Sequence, residues 1–164
     1  MSCSKTALPV ILVCIVMLAA CATKPTLYET GVTIAVWDLD NVSALDRTRP
    51  DLGGLLSAKV IETLMRKGKY SVVERQRLLM VLEELHLGTT SLVKESTRLE
   101  LGRLVGARLM VFGGYQVIEK MMRVDLRVVE VESGKVLKAV QKTTSSADLS
   151  GWLNAASEAA AELL

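Results

Sequence analysis

Hydrophobic positions along the chain recur with the spacings of strands and helices. Residues 32–37 form a continuous β-branched and apolar run, which is typical of a strand buried on both faces. After Pro50 the apolar positions are four residues apart, as one face of a helix requires, and Gly68 suits the end of that helix. The stripe consists of Leu52, Leu56, Val60 and Leu64. This part of the chain therefore predicts a strand followed by an amphipathic helix.

The middle of the chain predicts a strand and two helices. Residues 70–74 are strand-like, and residues 76–87 have a helical spacing. The side chains expected to face inward there are Leu78, Leu79, Leu82 and Leu85. Residues 97–100 read Thr-Arg-Leu-Glu, a capping box that predicts the start of a third helix, and Gly106 predicts its end.

The last third predicts three consecutive strands and a helix. Residues 108–119 form a long strand in which Gly113 and Gly114 allow a bulge or a bend. Residues 122–128 alternate, with apolar side chains facing in and charged ones facing water. Residues 132–135 suit a hairpin turn into a strand over 136–144. Residues 148–164 predict an Ala-rich helix with Trp152 on its buried side.

The order βαβααβββα defines the expected fold class. A strand, a helix and a strand in succession imply a right-handed parallel crossover, whereas the later strands form an antiparallel meander. We therefore predict one α/β (α+β) domain over residues 31–164, three-layer-like, with a mixed β-sheet covered by helices.

The beginning of the chain does not match a folded domain. Lys5 precedes an apolar run of 11 residues, Val10–Ala20, which is shorter than the roughly 20 residues of a membrane-spanning helix. Such a run ahead of small residues is typical of a signal peptide. The last three residues of this run and the next residue, Leu18-Ala19-Ala20-Cys21, resemble the lipobox of bacterial lipoproteins. An uncleaved anchor helix or an ordinary signal peptide is the alternative.

The lipobox resemblance implies a domain organisation and a location. It implies that Leu18, Ala19 and Ala20 form the cleavage signal and that Cys21 carries fatty acid such as palmitate. Residues 1–20 would then be the signal peptide and 21–30 a lipidated tether, so the partner at this end is a membrane. Ala22 is not the Asp that favours inner-membrane retention, so we expect an exported protein on the periplasmic face of the outer membrane.

Charge and candidate chemistry exclude several functions. Loss of Lys5 would leave 19 basic residues against 18 acidic ones, so no nucleic-acid footprint is expected. His86 is the single histidine and the two other cysteines fall in the leader, so no metal site or cofactor is expected. No motif surrounds a serine that would make it nucleophilic. The chain is not expected to be an enzyme.

Three charged residues follow the predicted parallel strands. Asp38 and Asp40 come after the first strand, and Arg75 comes after the second. Strand carboxyl ends are frequent ligand sites in open α/β sheets, which makes these residues a candidate interaction or ligand site. The alternative interpretation is structural, with loop-entry carboxylates and Arg75 paired to one of them.

Four segments in order resemble the CsgG-like family of curli-secretion lipoproteins. They are residues 34–41 (IAVWDLDN), 70–75 (YSVVER), 101–107 (LGRLVGA) followed by Gly113-Gly114, and 126–137 (LRVVEVESGKVL). The resemblance implies a fold like the periplasmic domain of that family and the N-terminal domain of TolB. It implies a function as a protein-binding or assembly module of an envelope machine, with other envelope proteins or further copies of itself as partners.

The chain also departs from the curli channels. Those proteins carry two long hairpin insertions that cross the membrane, but here the strands over 108–119 and 122–131 are joined only by Lys120-Met121. The loop Asn41–Arg49 has no aromatic residue to narrow a pore. A pore function is therefore not expected. An activator-type lipoprotein of a peptidoglycan synthase and a flagellar outer-membrane accessory remain alternatives, and a small-ligand binder is a further one.

Overall fold

The computed structural model of the protein describes residues 31–43, 51–85 and 94–164. Its strands are β1 (Val32–Val36), β2 (Asp40–Asn41), β3 (Tyr70–Val72), β4 (Leu109–Ile118), β5 (Met121–Glu130) and β6 (Val136–Thr144). Its helices are α1 (Leu52–Lys67), α2 (Arg75–Glu84), α3 (Glu95–Leu104) and α4 (Leu149–Leu163). The predicted order is confirmed, with the two-residue strand β2 added. The signal peptide, Cys21, the tether and His86 lie outside the described residues.

The strands form one mixed sheet in the order β3-β1-β4-β5-β6, and β2 pairs with the far part of β4. Strand β1 is parallel to both β3 and β4, whereas β5 is antiparallel to both of its neighbours, β4 and β6. The parallel pairing of β1 with β3 across α1 is the crossover that the sequence predicts. The mixed sheet is therefore confirmed.

Helices cover the sheet on both faces and enclose two apolar clusters. On one face α1 and α4 pack on side chains that include Ile34, Val111 and Leu126. The alanines of α4 are small, so that helix approaches α1 and the sheet closely. On the other face α2 and α3 cover Ala35, Met110 and their neighbours. These three layers match the predicted architecture.

Three local predictions are wrong. Leu85 is 47% exposed, because α2 ends at Glu84 and turns the next side chain outward. Helix α3 begins at Glu95, so Thr97 lies inside the helix and residues 97–100 form no capping box. The pairing of β4 with β5 runs without interruption through Gly113 and Gly114. The register shift of the sheet lies instead in the pairing of β5 with β6, between Val128 and Val129.

Gly113 and Gly114 of β4 occupy positions where neighbouring atoms leave no room for a Cβ, and they do not form a bulge. A Cβ at Gly113 would lie 2.6 Å from Leu126 Cδ2 and 2.7 Å from the carbonyl oxygen of Asp125. A Cβ at Gly114 would lie 2.7 Å from Val42 Cγ2. All three distances are shorter than van der Waals contact. Glycine therefore lets the neighbouring segments approach β4.

The connections at the end of β4 and of β6 are short. Glu119 and Lys120 alone join β4 to β5, one residue earlier than predicted, with Glu119 at a φ of 54°. Residues 145–148 join β6 to α4, and Asp148 caps the helix by accepting a hydrogen bond from the Gly151 amide at 2.7 Å. Among the described residues, no helix has the length and apolarity that crossing a membrane requires.

The sheet has two distinct ends. At the first, which we call the tether pole, the Gly31 amide donates to the Lys69 carbonyl and β1, β3 and β4 begin. Helices α1 and α4 also end there, because Lys67 Nζ donates to the carbonyl of Leu164. At the second, which we call the distal pole, β4 turns into β5 at residues 119–120.

Candidate functional site

Asp38 and Arg75 are brought together at the distal end of β1. Arg75 Nε donates to Asp38 Oδ1 at 2.8 Å, and Arg75 Nη2 donates to Oδ2 at 2.5 Å. Ser57 Oγ of α1 also donates to Asp38 Oδ1, at 2.9 Å. The carboxylate thus links the end of β1 to α1 and α2. The predicted pairing of Arg75 with one of the two aspartates is confirmed.

The electrostatics of Asp38 follow from these contacts. Burial raises the pKa of Asp38, but the hydrogen bonds from Arg75 and Ser57 and the guanidinium charge outweigh it, and the pKa lies below its ordinary value of 3.8. The hydrogen bond to Asp38 raises the pKa of Arg75. The pair therefore stays ionised at neutral pH, as a structural ion pair does.

Asp38 should make the stability of the domain depend on acid pH. Its lowered pKa means that the ionised pair stabilises the fold above pH 3.8 and that this contribution is lost as pH falls through the folded-state pKa. We expect Asp38→Asn to unfold at lower urea than wild type at pH 7, and the difference to shrink below pH 4. Urea titrations at pH 7 and near pH 3 measure it. A difference that stays constant would contradict this role.

Asp40 pairs elsewhere. Arg98 Nη1 and Nη2 of α3 donate to its two carboxylate oxygens at 2.7 and 3.2 Å. Arg98 is 7% exposed, and its guanidinium lies 5.1 Å from the centre of the Trp37 ring. The ion pair and the ring together hold α3 against the end of β1. The sequence grouped Asp40 with Asp38 and Arg75. In the structure Asp38 pairs with Arg75, whereas Asp40 pairs with Arg98.

Arg98 was missed by the sequence analysis, although a signal was present. It shares its helix face with Leu101 and Gly102, which are both buried. An arginine in an apolar stripe requires a buried acidic or aromatic partner. Its place inside a buried helix stripe, and not at a strand end, is therefore the sequence signal for Arg98.

A groove lies beside Arg98 on the α2–α3 face of the sheet. It has a volume of about 480 Å³. Beyond the start of α3 the strands β4, β5 and β6 carry no described helix on this face. The small residues Gly114 and Ala139 leave room above the strands. The groove is lined among others by Asp40, Arg98, Phe112, Arg127, Ala139 and Gln141.

Charges around the groove are paired. Arg127 Nη2 lies 2.6 Å from Glu95 Oε2 and its guanidinium 5.9 Å from the Phe112 ring, while Arg123 contacts Asp125 at 2.8 Å. No group of three or more His, Cys, Asp or Glu residues in the described part could hold a metal ion. The groove therefore presents paired charges above small floor residues, with the Phe112 ring buried beneath Arg127.

The fold and these pairings define a mixed-sheet α+β domain with an open, charged sheet face. The family model for the curli production assembly/transport component CsgG matches residues 20–118. The chain belongs to the CsgG family, as the segment resemblance predicted. Comparison with curated proteins finds no match.

Solved structures share the fold. The C-terminal domain of LpoB from Salmonella enterica has a TM-score of 0.58 at 19% identity, covering 78% of this chain and 89% of that one. A PelC dodecamer from Paraburkholderia phytofirmans has a TM-score of 0.55 at 15% identity, covering 82% and 89%. Lipoprotein GNA1162 from Neisseria meningitidis has a TM-score of 0.54 at 12% identity, covering 69% and 79%. The predicted fold class is confirmed.

Proposed function

We propose that this protein is an envelope lipoprotein, anchored to the outer membrane by lipid on Cys21, whose domain docks another envelope protein in the groove on its open sheet face. The observation that carries the proposal is the pairing of every strand-end charge singled out by the sequence. Asp38 and Arg75 stabilise the fold together, and Asp40 is held by Arg98. Because these charges serve the fold, the groove is the surface that we assign to recognition. The family of this chain is that of a curli production assembly/transport component.

The groove suits a protein segment better than a small metabolite. It is open along the strands, and its floor residues Gly114 and Ala139 leave space where side chains of a partner could pack. Arg127, whose side chain is 46% exposed, offers a guanidinium contact of the kind that is enriched in protein interfaces. The ion pairs at its rim would fix the register of the partner rather than supply most of the affinity.

The test is capture of partners by the intact lipoprotein from solubilised membranes. We expect Ala139→Arg to reduce at least one specific partner by tenfold or more, because a large charged side chain fills the groove. Asn154→Arg is the matched control, since Asn154 is exposed on α4, on the other face of the sheet. Mass spectrometry of the same samples reads both the partners and the lipid on Cys21.

Each part of the proposal has its own contradicting outcome. An unmodified Cys21 in membrane-derived protein would refute the anchor. Equal partner yields from wild type and Ala139→Arg would refute the groove as the docking site. The partner also distinguishes the pathways, because a peptidoglycan synthase would favour the activator role and a flagellar or curli component would favour those machines.

Self-assembly is a second candidate, favoured by one observation. PelC, which shares the fold of this chain, is a dodecamer. The occupant of the groove would then be a second copy of the chain. In the same experiment this would appear as a ring-sized species in detergent that Ala139→Arg dissociates.

A further inference from the structure

Strand β6 forms one edge of the sheet, and among the described strands it pairs only with β5. It has nine residues, whereas β3 at the opposite edge has three. A long, regular edge offers backbone amides and carbonyls that another strand can join. The register shift near the beginning of β6 leaves residues 138–144 as the regular part of this edge, which runs towards the distal pole.

Hydrogen bonds across the sheet show which backbone groups of β6 point outward. The Val111 carbonyl of β4 accepts from the Trp37 amide at 2.9 Å, so the backbone groups of Val111 point towards β1. Val128 of β5 is paired with Val111, and its own groups therefore point the other way, towards β6. Lys138 is opposite Val128 and points to β5, and the residues of β6 alternate from there. Those whose amides and carbonyls point outward are Ala139, Gln141 and Thr143.

The outward groups are accessible from the groove. No described residue hydrogen-bonds to the outward amides and carbonyls of these three residues. Ala139 and Gln141 line the groove, so their side chains lie on the open face of the sheet. Helix α4 covers the other face of β6, where Val140 packs in its apolar cluster. The groove therefore reaches the edge of the sheet at the residues whose backbone groups point outward.

Two lysines determine which strand suits this edge. On the face that α4 covers, Lys138 donates to the Glu162 carbonyl and Lys142 contacts the Glu162 carboxylate. Glu162, and more weakly Glu158, raise the pKa of Lys142. Lys138 has an uncharged acceptor instead. The edge thus carries positive charge at two positions that are four residues apart.

This charge pattern disfavours a second copy of β6. An antiparallel copy that overlapped the whole strand would place Lys138 opposite Lys142, and a parallel copy in register would place each lysine opposite itself. Like charges directly opposite each other across a strand pair are destabilising, whereas opposite charges stabilise the pair. A strand with carboxylates at the same spacing therefore suits this edge better than a second copy of the chain.

We propose that the protein docked in the groove adds an extended segment to β6 as a further strand, with acidic side chains opposite Lys138 and Lys142. This inference rests on the proposed docking function and specifies how the partner is held. Hydrogen bonds to the outward amides and carbonyls would supply affinity, and alternate side chains of the segment would supply specificity. Those on the open face would enter the groove over Ala139, whose small side chain leaves room.

The probe for the test is a synthetic peptide, acetylated and amidated, of sequence Thr-Glu-Thr-Val-Thr-Glu-Thr. Its sequence is the same in both directions, so both glutamates face lysines whether the peptide binds parallel or antiparallel to β6. We expect it to slow amide hydrogen exchange at Ala139, Gln141 and Thr143 of the intact lipoprotein by about tenfold or more, measured by nuclear magnetic resonance. The amides of residues 138, 140 and 142 point to β5 and should exchange as before. Unchanged exchange at the outward amides would overturn the inference.

Two control peptides make the result specific. The first has lysine in place of both glutamates, as β6 itself has at these positions, and should bind roughly tenfold more weakly. The second is N-methylated at its central residues, which removes backbone donors and prevents close approach, and it should not bind. Equal protection by the lysine peptide would overturn the acidic partner, and protection by the N-methylated peptide would overturn strand addition.

Gln141→Pro tests the edge in the protein itself. Proline removes the outward amide of residue 141 and leaves the hydrogen bonds to β5 in place, as edge strands tolerate. We expect peptide binding to weaken by about tenfold or more, whereas Gln141→Ala keeps the amide and should bind within about twofold of wild type. Urea denaturation verifies that both variants fold, and the N-methylated peptide tests the wild type independently. Equal binding by the two variants would contradict strand addition.

The same variants separate this inference from the proposed function. Partner capture that is lost with Ala139→Arg but unchanged with Gln141→Pro would mean that the groove docks its partner without strand addition. Capture unchanged in both variants would refute the docking function itself. Loss of capture in both, together with peptide-induced protection of the outward amides, is the result that we expect.

Discussion

Gly53→Ala should be strongly destabilising. Gly53 is buried on the first turn of α1, and a Cβ there would collide with the carbonyl oxygen of Leu39, a backbone atom that cannot rotate away. The segment after β1 or the start of α1 would have to move. We expect a loss of about 3 kcal/mol of unfolding free energy and a fall of roughly 10 °C in Tm, measured by urea and thermal denaturation.

The adjacent glycine provides a matched control. A Cβ at Gly54 would lie 3.4 Å from Arg75 Nη2 and 4.0 Å from Asp38 Oδ2, which are ordinary van der Waals distances. Because alanine is a better helix former than glycine, Gly54→Ala should be neutral or stabilising by about 0.5–1 kcal/mol. Equal effects of the two substitutions would show that Leu39 does not pack on α1 as described.

Arg98→Ala should be strongly destabilising. It would leave the Asp40 carboxylate without its partner and remove the guanidinium from the face of Trp37. Because the Asp40 side chain is one-third exposed, water would compensate for part of the loss. We expect a cost of about 2–3 kcal/mol by urea denaturation. Partner capture should fall too, since Arg98 lines the groove.

The control for Arg98 is on the same helix. Arg103 donates to the carbonyls of Val131 and Glu132 at 3.3 and 3.1 Å at the exposed end of α3, so Arg103→Ala should cost less than about 1 kcal/mol. A double-mutant cycle of Arg98→Ala with Asp40→Asn should give a coupling of about 1–2 kcal/mol. Additive effects would mean that the two side chains do not interact in solution.

The sequence predicted the elements of this fold because most of them are specified locally. The four-residue spacing of α1 and the alternation from Met122 to Val128 each allow one structure, and both are confirmed. The errors arose where neighbours in space decide. Leu85 is exposed because of where α2 ends, and Gly113 and Gly114 are small because of Leu126 and Val42.

The candidate site was less predictable than the fold. Proximity along the chain suggested that Asp38 and Asp40 act together, yet their partners come from α2 and α3, which lie 37 and 58 residues further on. Arg98 could not be found from strand ends. Its place beside Leu101 and Gly102 in the buried stripe of α3 pointed to a buried partner, but the identity of that partner depends on how α3 crosses the sheet.

The position of strand β6 at the edge of the sheet affects the tendency of the protein to aggregate at high concentration. It is the outermost strand of the described sheet, so one side of a nine-residue strand presents unpaired amides and carbonyls that could recruit strands from other molecules. Lys138 and Lys142 lie on the same face of β6, where Lys138 donates to the Glu162 carbonyl of α4 and Lys142 contacts the Glu162 carboxylate. Charged side chains on an edge strand discourage pairing with further strands of the same charge, so we expect these lysines to limit aggregation at high concentration.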